Sequence, residues 1–297
     1  MAPIPDKPKF ELIRDAPPAW AWEQYEVWLS ARYRDLLDSP DADESALQRF
    51  LECHPSLIPG GEGTGQSIGG HHGAFPEVVF SQAELPGLKR PIPDFLWVSK
   101  VSGEVWPVVI EIKDPRKPWF RPSDGVQHAE LTQAVDQLAK CRQWFGREAH
   151  RELFYERYGI SDWVRRYHKI EPILCLIYGR RKQFEHDAAL SQKRAEMRPD
   201  WLVWMTYDRL RPSYWLRNAI AVRHEGGRFE AISIPPTFQL GPRIVRALRD
   251  VHGIEQAIAA NQLISEGRRS FLLERWPYWL KATEMEKGRY YEHGQGE

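Results

Sequence analysis

Apolar side chains recur at helical spacing from Trp20 to Leu37, where Trp20, Tyr25, Trp28, Leu29, Tyr33, Leu36 and Leu37 share one face. This predicts an amphipathic helix that stops at Ser39-Pro40-Asp41. A second helix is predicted to begin between Asp41 and Ser45 and run to Cys53. Leu47, Phe50 and Leu51 form its apolar stripe, Ser45 and Gln48 resemble a capping box, and Pro55 ends it. Glu44, Gln48 and Glu52 lie four apart on its polar face, which looks either toward a site or toward water, the more usual case.

Beyond the glycine-rich stretch 59–73 the pattern changes from a helical period to extended chain. Phe75 to Phe80 reads as a strand, and Pro91-Ile92-Pro93-Asp94-Phe95-Leu96-Trp97-Val98 and Trp106 to Lys113 as two more, joined by a turn at Ser102-Gly103-Glu104. The last of these is apolar until Glu111 and Lys113 alternate with Ile112. Residues two apart on a strand share a face, so a carboxylate and an ammonium leave the end of a buried strand together, with Asp94 on its neighbour.

A long helix is predicted over about Val126 to Trp144, with Leu131, Val135, Leu138 and Ala139 inward and Gln127, Glu130, Gln133, Gln137 and Lys140 on or beside another stripe. That stripe either borders the site or is a solvated face. Ile170–Gly179 and Trp201–Tyr207 read as buried strands with a helix at about 183–198 between them. Ala219–Arg223 and Arg228–Ile234 form a hairpin around Glu225-Gly226-Gly227, and 243–285 reads as helical. The order strand–strand–helix–strand–helix–strand predicts a mixed α/β sheet flanked by helices. Prolines at 3, 5, 8, 17 and 18 make the first nineteen residues an extended arm, and the tail from Glu292 is expected to be mobile.

Composition narrows the class. At 297 residues with 42% hydrophobic and 28% charged content, the chain can bury a large core. Its 41 basic and 41 acidic residues cancel, so a polyanion partner must meet a local patch. One is present: residues 140–182 hold eleven Lys and Arg against five Asp and Glu, with Tyr155, Tyr158, Trp163 and Tyr167 interleaved. That mixture suits a phosphate backbone with stacked bases, although a charge run is more often a solvated face. Cys53, Cys141 and Cys175 form no paired spacing and point to reduced thiols, hence a cytoplasmic protein. No apolar run approaches the roughly 20 residues of a membrane span.

Three chemistries compete for these residues. The glycine-rich stretch lacks the Lys-Ser/Thr pair and following helix of a phosphate-binding loop, and is read as a flexible connection. His71-His72 with Cys53-His54 matches no standard zinc spacing. Asp94 with Glu111-Ile112-Lys113 supplies two hard carboxylates and an ammonium at a reachable strand end, a set that can hold Mg²⁺ or Mn²⁺ and act on a phosphodiester. In that setting Lys113 orients water or meets charge developing on phosphate.

Pro93-Asp94 followed by Glu111-Ile112-Lys113, with 16 residues between Asp94 and Glu111, resembles the PD-(D/E)XK nuclease superfamily. Residues about 44–210 look most like the nuclease domain of Shedu anti-phage defence proteins. The stretches that carry this are Leu47–Pro55, Pro93–Leu96, Val109–Lys113, Glu130–Leu138 and Thr206-Tyr207-Asp208. The resemblance implies a restriction-endonuclease-like fold and metal-dependent DNA cleavage in a homo-oligomer. It implies Asp94 and Glu111 as metal ligands, Lys113 as the catalytic lysine, Gln137 with Gln133 as supporting glutamines, and Glu44 as a first-helix acid. The chain then divides into an N-terminal arm and helix at 1–40, a nuclease domain at 41–212, and a hairpin and helical region at 213–297. The alternative is a DNA-binding or assembly subunit that keeps this fold while a partner cuts; a third reading is a hydrolase of small phosphate esters.

Overall fold

The computed structural model describes residues 16–59, 77–87, 90–100, 103–121 and 123–285. Most of the expected N-terminal arm, the glycine-rich stretch from Gly60 with His71 and His72, the turn at Ser102 and the tail lie outside these residues.

One mixed sheet organises the chain. Its strands are β1 (Val78–Ser81), β2 (Phe95–Lys100), β3 (Glu104–Ile112), β4 (Lys169–Ile170), β5 (Ile173–Ile177), β6 (Leu202–Met205), β7 (Ile220–Glu225), β8 (Arg228–Ser233) and β9 (Val251–His252). Their order is β6-β5-β3-β2-β1-β7-β8-β9, with β4 beside the start of β3. β1, β2 and β3 run antiparallel in succession, whereas β5 lies parallel to β3 and β7 parallel to β1. The expected hairpin forms from β7 and β8, and Gly226 and Gly227 both take positive φ at its turn.

Strand alternation builds two cores. Phe95, Trp97, Val108, Ile110 and Ile112 face α1 (Trp22–Asp38) and α2 (Glu44–Cys53). Leu96, Val98, Val105 and Val109 face the opposite layer, which contains α3 (Ala129–Phe145), α4 (Glu148–Arg157) and the C-terminal helices α7 (Pro242–Leu248), α8 (Ile254–Ala260) and α9 (Glu266–Met285). The central strands are apolar on both faces because both are covered. No helix among the described residues is long and apolar enough to cross a membrane.

Several local details differ from the sequence pattern. α2 is capped by Asp43, whose side chain accepts from the Ala46 N–H at 2.7 Å, rather than by Ser45. α3 starts at Ala129, later than the periodicity suggests, with His128 as its N-cap. Ala134 and Cys141 are buried on α3, while Val135 and Ala139 are only half-buried. The basic segment contains α4 and α5 (Asp162–Tyr167), and the following helix, α6, is shorter than expected at Ala188–Glu196. The 243–285 region is interrupted by β9, a two-residue strand too short to leave a period.

Candidate functional site

The site forms where β3 leaves the sheet. Val109 and Glu111 point to the α3 side, and Ile110 and Ile112 to the α2 side. Phe95 pairs with Ile110, so the next antiparallel position places Asp94 across from Glu111 on the same face. Asp94 is anchored twice. Its carbonyl accepts from the Gln82 N–H at 2.7 Å, and its Oδ2 accepts from the Ile112 N–H at 2.8 Å.

Glu111 is only 2% exposed. Its Oε1 lies 2.6 Å from Lys113 Nζ, which is also 3.7 Å from Glu44 Oε1. Glu44 opens α2, and its other carboxylate oxygen accepts from the Asp114 N–H at 3.2 Å. The Lys113 backbone is held as well: its N–H donates to the Ile177 carbonyl at 3.1 Å, and the Tyr207 hydroxyl donates to its carbonyl at 2.7 Å. Two carboxylates hold the ammonium, and two hydrogen bonds hold the backbone that carries it.

The electrostatics follow from burial. Desolvation pushes the Asp94 carboxyl up, and the Ile112 N–H and Lys113 only partly offset it. Glu111 rises further, first from burial and then from the Asp94 charge, which together outweigh the Lys113 ion pair. Burial pulls Lys113 down, but Glu111, Asp94 and Glu44 outweigh it and hold the ammonium above its ordinary value. The two carboxyls share their protons as a pair. Such repulsion between hard oxygen donors is relieved by a cation.

A cavity of about 710 Å³ opens beside Glu111. Gln137 lines it from α3, and Arg90, Lys140, Arg147 and His150 add positive or hydrogen-bonding groups. Gln137 is exposed at this wall; Gln133, one turn earlier, is exposed but does not line the cavity. Lys140 and Arg147 have no ion pair among the described residues, whereas Arg90 is 3.2 Å from Glu84. Gln137 and Lys140 belong to the stripe that the sequence pattern places beside the site, whereas nothing in the pattern singles out Arg90, Arg147 or His150. The set Gln137, Lys140, Cys141 and Trp144, at i, i+3, i+4 and i+7, was the available signal.

Other candidates resolve differently. His54 accepts or donates at 2.9 Å with the Tyr25 hydroxyl and lies against the rings of Trp28 and Phe50; burial lowers it to about 4. It is a satisfied core residue. Among the described residues, no group of three or more His, Cys, Asp and Glu side chains is arranged to hold a metal. The Asp94–Glu111 pair offers two carboxylates, a number sufficient for Mg²⁺ when water and phosphate oxygens complete the shell. Tyr155 and Tyr158 are buried and unavailable for stacking, because they face the core from α4 and its end. The polar face of α2 is not a solvated one either. Glu52 is buried and accepts from Ser81 Oγ at 2.5 Å and from Arg223 Nη2 at 2.6 Å, and Gln48 Nε2 donates to both Glu52 and Ser81.

A helix-flanked mixed sheet with two carboxylates and a lysine gathered at one strand end defines a protein of the restriction-endonuclease-like α/β kind. The chain belongs to the Shedu family: the family model for the Shedu protein SduA C-terminal region matches residues 41–210, more than half of the chain. No curated protein matches it.

Proposed function

We propose that this protein is a metal-dependent DNA endonuclease of bacterial anti-phage defence, with Asp94, Glu111 and Lys113 as its catalytic set. The carrying observation is the placement of Asp94 across from Glu111, with Lys113 Nζ 2.6 Å from Glu111, beside a cavity with cationic walls. Family membership supports the defence role and the PD-(D/E)XK reading of these residues.

Asp94 and Glu111 would hold Mg²⁺ or Mn²⁺, which when bound polarises a phosphodiester and lowers the pKa of water. Lys113 keeps its proton, as its raised pKa requires, and presents fixed positive charge where negative charge grows on the phosphate. Glu44 and the Tyr207 hydroxyl restrict where that ammonium can go. Gln137 supplies an amide at the cavity wall, and Lys140 and Arg147 meet flanking phosphates of the DNA strand.

The test is cleavage of plasmid DNA by the purified protein with Mg²⁺ or Mn²⁺. Cutting or nicking that is lost in Lys113→Ala and in Glu111→Ala, with the fold retained, is expected. Cleavage that survived both substitutions would remove the site, and tight DNA binding without cleavage would favour a non-cutting subunit.

A further inference from the structure

A second cavity, of about 540 Å³, borders the same stretch of chain as the first. The turn from α3 to α4 is a wall common to both: Trp144, Arg147 and His150 face the catalytic cavity, while Arg142, Gly146 and Arg151 face the second. The opposite wall of the second cavity is the α5–β4 junction, with His168 and Lys169.

His168 is the unusual group here. It is 7% exposed, it lines the cavity, and neither ring nitrogen has a hydrogen-bond partner among the described residues. A buried imidazole left in this state forgoes the bonds it would make in water, which marks a place for a missing partner. The charges around it are unevenly spent. Arg165 pairs with Glu152 and Lys169 with Glu171, whereas Arg151 has no ion pair among the described residues and Arg142 sits over the Trp201 ring at 5.4 Å. Glu148 is the remaining acid at the wall. Two guanidinium groups and an N–H donor facing one concavity suit a phosphate.

The rim supplies the other half of a ligand. Trp163 and Tyr167 of α5 are 57% and 61% exposed, and the Trp163 ring lies 4.9 Å from His168 and 5.8 Å from Tyr167. These rings lie outside the cavity lining, and Lys100 Nζ sits 4.8 Å from the Trp163 ring centre, so a base stacking on that face displaces the ammonium, while Tyr167 offers a second exposed ring. The volume falls within the range of about 300–1,000 Å³ usual for small-ligand sites.

We propose that this cavity is a second ligand site that takes a nucleotide, its phosphate held by His168, Arg142 and Arg151 and its base against Trp163 and Tyr167. The site is independent of the nuclease reading, and its test does not use cleavage. Binding of ATP, dAMP, inorganic phosphate and a short single-stranded oligonucleotide to the full chain is measured by calorimetry without divalent metal. One ATP or dAMP per chain is expected, bound more tightly than inorganic phosphate. Arg151→Ala and His168→Asn should each weaken it at least about tenfold, the loss of one charge-assisted or buried hydrogen bond. Arg151→Ala tests the idea without disturbing the buried imidazole, and Glu111→Gln, in the other cavity, should leave nucleotide binding unchanged. The proposal is overturned if no nucleotide binds, if neither Arg151→Ala nor His168→Asn weakens binding, if inorganic phosphate binds as tightly, or if only the oligonucleotide binds.

Discussion

Glu44 brings its carboxylate to within 3.7 Å of the Lys113 ammonium from the first turn of a helix on the other side of the sheet from Glu111's face. The lysine is therefore positioned by two acids rather than one. Glu44→Gln keeps the size of the side chain and removes its charge. In the plasmid assay we expect a loss of about tenfold, against about a hundredfold or more for Lys113→Ala, which removes the ammonium itself. Equal rates for Glu44→Gln and the parent protein would show that Glu44 does not position Lys113.

The metal-free protein should lose stability as pH rises toward 8. The Glu111 carboxyl is raised from 4.5 to about 8, so between those values the folded chain holds a proton that the unfolded chain has released. Stability falls with rising pH through that window. His54 acts with the opposite sign: its value is lowered from 6.5 to about 4, so stability grows as pH rises from about 4 to 6.5. The signature of Glu111 is then cleanest between about 6.5 and 8. Melting temperatures should decline across it, and Glu111→Gln should flatten the decline. Added Mg²⁺ should do the same.

Glu52 and Arg223 tie α2 to β7. Arg223→Ala would leave a buried carboxylate without its cation, while Ser81 and Gln48 remain to hydrogen-bond it. Because the Arg223 side chain is 33% exposed, we expect a loss of about 2 kcal/mol rather than the 3–5 of a fully buried pair. Adding Glu52→Gln should recover part of it. Urea denaturation of the single and double variants measures both quantities.

Gly179 follows β5 with φ of +58°, and a Cβ there would meet the Trp119 indole nitrogen at 2.7 Å. Trp119 is fully buried and cannot swing away. Gly179→Ala should cost about 1–3 kcal/mol in thermal or urea unfolding, from the left-handed backbone and the collision together.

The strand end was legible because Glu111 and Lys113 break an apolar run, and a charge in a buried strand has few structural uses. The outlines of α1, α2, β2, β3, β5, β6 and the β7–β8 hairpin followed from period and turn residues for the same reason. What could not be read were relations between distant elements. Nothing local in Glu44, Gln48 and Glu52 separates a solvated stripe from one that crosses strand ends. The aromatic residues of the basic segment divided by helix face: Tyr155 and Tyr158 turned inward with Phe154, and Trp163 and Tyr167 outward on α5. Counting rings among arginines does not reveal which way each helix is rolled.

β1 lies between β2 and β7, and β7 begins ten residues beyond the end of the segment matched by the family model. A fragment ending at 210 would strip β1 of one neighbour and leave Val78, Val79, Phe80 and Ser81 with an open row of N–H and carbonyl groups. Such a row invites a strand from another copy. Kinship and autonomy thus have different borders in this chain, and a shortened protein cut at the border of kinship should self-associate rather than stay monodisperse.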